Sequence, residues 1–316
     1  MSGGIPWEVA RQRVLDGVRP LPARAIAVKE ALGYSLAGDV EAPEAMPPFD
    51  NSAMDGFAVR SADVAGASEE SPVTLDVVGE VPAGRGEPGT IGPGCAARIM
   101  TGAPLPGGAD AVVMVEHTDA WDAAGRRSRP PDPEGRIRIY RSSSPGANIR
   151  RRGESVAAGS VMLPAGQVIR GAELGLLISV GVSEVNVHSL PRIGVISTGD
   201  ELIPADQTPG PGEIRDSNRP ALLGRLAEHG LLTLDLGHVP DEEAALERII
   251  RRGAAESDFL LTSGGVSVGD YDLTRRVLAR LGNVESYRVA VKPGRPQAFG
   301  WIEGTPAFGL PGNPVS

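Results

Sequence analysis

An apolar run that halts at paired glycines sets the tightest limit on how this chain folds: Phe259-Leu260-Leu261 is followed by Thr262-Ser263-Gly264-Gly265, then by Asp270 and Asp272. A short run bounded in this way reads as a buried strand, and Val277, Leu278 and Leu281 behind it mark a covering helix. The same rhythm occurs twice before it. Ile193–Ile196 leads to a helix carrying Leu222, Leu223 and Leu226, and Leu231–Leu236 leads to one carrying Leu246, Ile249 and Ile250 after Asp241, a suitable N-cap. Alternation of this kind requires a parallel sheet covered by helices. Further strands are expected at Val284–Val291, Gln297–Ile302 and Ala307–Leu310.

The N-terminal half reads differently. Residues 1–45 have a helical pattern with a bend, with Pro6 at a helix start and Trp7, Ala10 and Val14 on one face. From 47 to 147, alternating runs (Val73, Leu75, Val77; Ile137, Ile139) and the apolar run Ala111–Val115 are separated by Gly- and Pro-rich turns, which predicts an all-β section. Within it, Asp119–Gly135 reads as an exposed hairpin tip. Leu174, Leu177 and Ile178 mark a helix, and Val182–Val187 alternates like a strand. A mixed N-terminal domain (1–46 with 148–190), a β-rich insert (47–147) and an α/β domain (191–316) are expected, so the fold class is multidomain α/β plus β. At 316 residues the chain exceeds what a single core fills.

Charge and cysteine content narrow the function. A net charge of −9 without a Lys/Arg run argues against a nucleic-acid partner. No apolar run reaches the roughly 20 residues that span a bilayer, so no membrane partner is expected. One cysteine, Cys95, excludes an internal disulfide and fits a reducing cytoplasm. The four histidines lack metal-ligand spacing.

The loops carry the chemistry. Three strands end in Ser197-Thr198-Gly199-Asp200-Glu201, in Thr262-Ser263-Gly264-Gly265 and in Pro311-Gly312-Asn313-Pro314-Val315-Ser316. In a parallel sheet such ends share the carboxyl edge, where open α/β folds bind ligands, and hydroxyls beside bare glycine N–H groups suit phosphate. Asp200, Glu201, Asp216, Asp270 and Asp272 crowd the same loops, and a cluster of acids is relieved by a hard cation such as Mg²⁺. Lys292-Pro293-Gly294-Arg295 places two cations on a stiff turn, which suits an oxyanion, either phosphate or a tetrahedral metal oxide.

Taken together, these segments resemble the molybdopterin molybdenumtransferase family, the MoeA and gephyrin E-domain group. The resemblance rests on PPFDNSAMDGFAVR (47–60), IMTGAPLPGGADAVVMVE (99–116), NIRRRGE (148–154), STGDEL (197–202), RDSNRP (215–220), TSGGVSVGDYD (262–272), VKPGRPQAFG (291–300) and LPGNPVS (310–316). It implies a MogA-like, three-layer α/β domain with a mostly parallel sheet. It also implies the last step of molybdenum cofactor assembly, in which adenylylated molybdopterin and molybdate are substrates, AMP is released, and Mg²⁺ is required. A homodimer with a cleft shared between subunits is implied, with a molybdopterin adenylyltransferase as the upstream partner.

By that resemblance Ser197, Thr198, Gly199, Ser263, Gly264, Gly265, Ser267, Pro311, Gly312, Asn313, Pro314 and Ser316 bind pterin, phosphate and nucleotide. Glu201, Asp216 and Asp272 hold Mg²⁺ or position water. Lys292, Pro293 and Arg295 hold molybdate and phosphate, while Asp55 and Thr101 reach in from the partner subunit. Three departures stand out: Ser155 where relatives often carry aspartate, Arg295 where many carry lysine, and an end at Ser316 where relatives continue into a small β-domain. The last implies activity that is lower or absent. Two other functions fit parts of the pattern. One is an adenylyltransferase, which the presence of 47–147 disfavours; the other is a non-catalytic dimeric scaffold.

Overall fold

The computed structural model describes residues 4–84, 88–120, 135–264 and 273–314. Its contacts divide the chain into two compact units. One comprises Met1–Ile26, Ala31–Ala37 and Asn186–Ser316, the other Ala27–Glu30 and Gly38–Val185. Only part of the helical pattern expected over 1–45 is realised, as α1 (Trp7–Gly17). Pro20 and Pro22 supply no N–H to continue it, and Ala23–Ala27 is extended.

The unit built around Gly38–Val185 holds a five-stranded sheet. Its strands are β1 (Gly56–Val59), β2 (Val73–Val81), β3 (Cys95–Ile99), β4 (Ala111–Met114) and β5 (Arg136–Ile139), in the order β4-β1-β3-β2-β5. Only β2 and β3 pair in parallel. Strand β1 is buried along its whole length because the sheet has a core on each face. Phe57 and Val59 pack with Leu75, Val113, Ile137 and Ile139, whereas Ala58 packs with Val81, Ile99 and Val112. Two-sided burial of this kind leaves no room for the polar alternation of a half-exposed strand. The expected helix appears as α2 (Gly171–Ser179). The expected hairpin tip, 119–135, lies almost wholly outside the described residues.

The other unit follows the β-α-β rhythm. It contains β6 (Arg192–Thr198), α3 (Asn218–Glu228), β7 (Leu232–Val239), α4 (Glu243–Glu256), β8 (Phe259–Ser263), α5 (Leu273–Leu281), β9 (Glu285–Arg288), β10 (Pro296–Ile302) and β11 (Thr305–Leu310). The sheet order is β7-β6-β8-β11-β10-β9. Strands β7, β6, β8 and β11 are parallel; β10 runs against them, and β9, antiparallel to β10, points their way again. Glu303 and Gly304 are the cause, since a two-residue connection permits only antiparallel neighbours.

Side-chain alternation assigns the layers. Ile196, Leu260, Ile302 and Ala307 share one core with Leu246 and Ile250 of α4 and Val277 and Leu278 of α5. Burying each large aliphatic side chain contributes about 1.5–3 kcal/mol. The opposite face carries α3 over β6 and β7, and α1, whose Gly17 abuts Trp301 and Phe299. Three layers result, helix–sheet–helix. Helix α4 begins one residue later than its expected cap: Glu242 holds the N-cap position, and no side-chain cap bond forms there. The N–H of Asp241 instead donates to Asp200 Oδ1 at 2.9 Å. Beyond β9, Ile5 lies along the margin of the sheet, donating to the Arg288 carbonyl at 2.7 Å and accepting from Ala290 N–H at 2.8 Å.

Candidate functional site

Strand register gathers the loops. Ser197 lies opposite Ser263, Ser263 opposite Leu310, and Gly309 opposite Ala298. The loops that follow β6, β8 and β11 therefore open on one edge of the sheet. Because β10 is antiparallel, the Lys292–Arg295 turn that precedes it opens there too. Four segments separated by up to about a hundred residues of sequence meet at one mouth.

Hydrogen bonds at this mouth are specific. Ser197, fully buried, donates its hydroxyl to Asp216 Oδ2 at 2.6 Å. Asp216 also accepts from Arg219 Nε at 2.9 Å and from the Arg219 backbone N–H at 3.3 Å, and Arg219 grips Asp235 through both carboxylate oxygens at 2.6 and 2.5 Å. Burial pushes the Asp216 carboxyl upward, but the bonds from Ser197 and Arg219 outweigh it and hold the group below the ordinary aspartate value of 3.8. Asn218, the first residue of α3, donates from Nδ2 to Ser263 Oγ at 2.8 Å and to the Gly312 carbonyl at 2.7 Å. His238 Nε2 lies 2.8 Å from the Gly199 carbonyl, which can only accept, so this ring nitrogen carries the proton.

The glycine turn differs from the expectation of bare donors. Gly264 has φ +95° and donates its N–H to the Leu310 carbonyl at 3.0 Å, so that N–H is not free for a phosphate. A Cβ there would lie 2.6 Å from the Thr198 carbonyl oxygen, which only glycine avoids. Thr198 Oγ1 accepts from Thr274 Oγ1 at 3.3 Å. Gly265, Ser267, Asp270, Asp272, Val315 and Ser316 lie outside the described residues.

The acids are dispersed where they can be described. Asp200 is turned to Asp241, and Asp216 to Ser197 and Arg219. Among the described residues, no group of three or more His, Cys, Asp or Glu side chains converges as a metal site. Glu201 stays at the mouth, its carboxylate so close over Gly199 that a side chain there would collide with it. Its hard oxygens suit Mg²⁺, which needs only one or two protein carboxylates beside substrate phosphate. Lys292 and Arg295 are exposed, Pro293 is exposed between them, and Gly312, Asn313 and Pro314 line the opposite loop. A separate cavity of about 370 Å³ beneath α1, lined by Trp7, Val14, Phe299 and Phe308, carries none of the expected site residues.

The β-sheet unit forms a constellation of its own. Asp55 Oδ1 accepts from both the backbone N–H and the hydroxyl of Thr101, at 2.7 and 2.8 Å, which joins two residues that were expected to act together. Asp50 accepts from Arg152 N–H at 2.8 Å and from Arg151 at 2.6 Å, and these donors hold its carboxyl below the usual range. Asn148 donates to the Val112 carbonyl at 2.9 Å. Stretches 47–60, 99–116 and 148–154 thus share one neighbourhood. Sequence reasoning gave no role to Asn218, Arg219, Asp235 or His238. Only the first two carried a signal, as polar residues directly behind Asp216 at a helix start.

Comparison with known proteins places this geometry. Residues 5–181 match the family model described as the MoeA N-terminal region (domain I and II), and 194–316 match that of a probable molybdopterin binding domain. The chain is 42% identical over 297 residues to molybdopterin molybdenumtransferase 2 of Mycobacterium tuberculosis, covering 92% of this chain and 70% of that protein. It is 38% identical over 309 residues to the molybdopterin molybdenumtransferase of Haemophilus influenzae, covering 97% and 72%. A crystal structure of the molybdopterin biosynthesis MoeA protein from Pyrococcus horikoshii superposes with a TM-score of 0.78 at 31% identity, covering 99% of this chain and 75% of that one. The chain belongs to the MoeA family of molybdopterin molybdenumtransferases.

Proposed function

We propose that the protein catalyses insertion of molybdenum into adenylylated molybdopterin. Its family membership gives it a role in molybdenum cofactor biosynthesis. The observation that carries the finer reading is the convergence of 197–201, 263–264, 292–295 and 310–314 at one sheet edge. That edge offers what a pterin pyrophosphate and a metal oxyanion need: hydroxyl and amide groups on one side and two cations on the other.

In this reading water cleaves the P–O–P link, one oxygen staying with AMP and the other with molybdopterin phosphate. The two dithiolene thiols then give their protons to one oxo ligand of molybdate, which leaves as water while both sulfurs bind molybdenum without change of oxidation state. Ser263 with the 310–314 loop holds phosphate, while Lys292 and Arg295 hold the molybdate dianion; guanidinium and ammonium suit oxyanions at such a turn. Glu201 and Asp272 would hold Mg²⁺, whose charge offsets that building on phosphate oxygen. Asp216 orders the mouth from behind, through Ser197 and Arg219. Asp55 and Thr101 are supplied by a second copy of the chain. The β-rich insert 47–147 presents them, carried by 1–46 with 148–190, while 191–316 binds the nucleotide. The setting is cytoplasmic, with an adenylyltransferase delivering the substrate.

The test is AMP release by the purified protein from adenylylated molybdopterin, with and without molybdate and Mg²⁺, followed by chromatography. Molybdate-dependent release is expected, with Lys292→Ala and Arg295→Ala raising the molybdate concentration for half-maximal rate about tenfold or more, the scale of one lost charge-assisted contact. Absence of any molybdate-dependent AMP from the wild-type protein sinks the proposal.

A further inference from the structure

The two buried serines at the mouth are wired in opposite senses. Ser197 spends its only proton on Asp216, so toward a ligand it can only accept. Ser263, 3% exposed, accepts from Asn218 Nδ2, which leaves its own proton unspent. The orientation of the Asn218 amide is fixed chemically: the same nitrogen faces the Gly312 carbonyl at 2.7 Å, and a carbonyl accepts only from the NH₂ end. The start of α3 is locked in turn, because neighbouring Arg219 is clamped between Asp216 and Asp235.

We infer that Asn218 is a positioning residue for the phosphate grip. Its two amide hydrogens force Ser263 to act as the hydroxyl donor to the ligand phosphate, and they tie the loop at Gly312 to the turn at Ser263 so that both close on one anion. This rests on the adenylylated-ligand reading above. Gly264 N–H and Ser197 Oγ–H are both committed elsewhere, so among these described groups the Ser263 proton is the donor that remains.

Titration calorimetry with AMP and Mg²⁺ on wild type, Asn218→Ala, Ser263→Ala and the double variant tests the wiring. Each single variant is expected to weaken AMP binding about tenfold, the scale of one or two lost hydrogen bonds. The double variant should fall no further than about tenfold, because the two act through one contact to the ligand. Asn218→Asp keeps the side-chain shape, offers no N–H and turns the Ser263 proton inward. It should bind AMP no better than Asn218→Ala, which provides a second readout if the alanine variant unfolds. Ser197→Ala, by contrast, should weaken AMP binding less than Ser263→Ala does. Losses in the double variant that multiply to about a hundredfold, or wild-type AMP affinity in both Asn218 variants, overturn the inference. No AMP binding by wild type would overturn the nucleotide reading itself, and the inference with it.

Discussion

Gly264→Ala tests how the mouth is built. The residue sits at φ +95°, where an L side chain costs about 1–2 kcal/mol. The added Cβ would also lie 2.6 Å from the Thr198 carbonyl oxygen and 3.1 Å from Thr198 Oγ1. Neither atom can retreat freely: β6 and β8 are held in register at Ser197 and Ser263, and Gly264 N–H is bonded to Leu310 at 3.0 Å. Relieving such an overlap within a fixed ladder costs about 1–3 kcal/mol. The two effects together give about 3 kcal/mol of destabilisation. With a urea dependence near 2 kcal/mol per molar for a domain of this size, the unfolding midpoint of the α/β unit should drop by about 1.5 M. Gly224→Ala supplies the contrasting control. It lies exposed within α3 with nothing near its added carbon, and alanine there should stabilise by about 0.5–1 kcal/mol. Urea titrations followed by circular dichroism read both signs. A Gly264→Ala midpoint within about 0.3 M of wild type would show that neither the backbone angle nor the close approach constrains this turn.

Two further outcomes follow from the geometry. Asp55→Ala removes the acceptor that holds Thr101 N–H and hydroxyl, and should lower molybdate-dependent AMP release by about a hundredfold, the span of a lost acid–base or positioning group. Both groups are exposed, so its melting temperature should move by no more than about 2 °C; an unchanged rate would remove the pair from the site. Asp216 and Asp110 each titrate below the ordinary 3.8 in the folded protein, Asp110 because it accepts the Ser61 N–H and hydroxyl. A depressed folded value means stability present above the unfolded pKa and lost as pH falls through the folded one. Urea midpoints should therefore be insensitive to these two groups above about pH 5 and decline below about pH 4, with Asp216→Asn flattening the decline of the α/β unit. A decline in Asp216→Asn as steep as in wild type would contradict the assignment.

How far the sequence revealed this arrangement depended on the range of the interaction involved. Strands and helices of the α/β unit were legible because burial imposes a local pattern, as at Phe259–Ser263 and Val277–Leu278. The extended stretch at Ala23–Ala27 was missed: its residues alternate no more clearly than a helix face would, and only Pro20 and Pro22 hinted at the break. Loop chemistry was legible as composition, but its wiring was not. Nothing in Ser197 or Ser263 as letters tells which one donates; that is set by Asp216 and Asn218, which reach the two serines from the start of another helix. The acidic cluster shows the same limit, since counting carboxylates cannot reveal that Asp200 and Asp216 already have partners.

Ile5, stitched to Arg288 and Ala290, covers the end of the outermost strand of the six-stranded sheet, where the Arg288 carbonyl and the Ala290 amide would otherwise face any passing chain. Stripping away those leading residues should leave a sticky border, so the shortened protein ought to scatter more light as its concentration rises while the intact one does not.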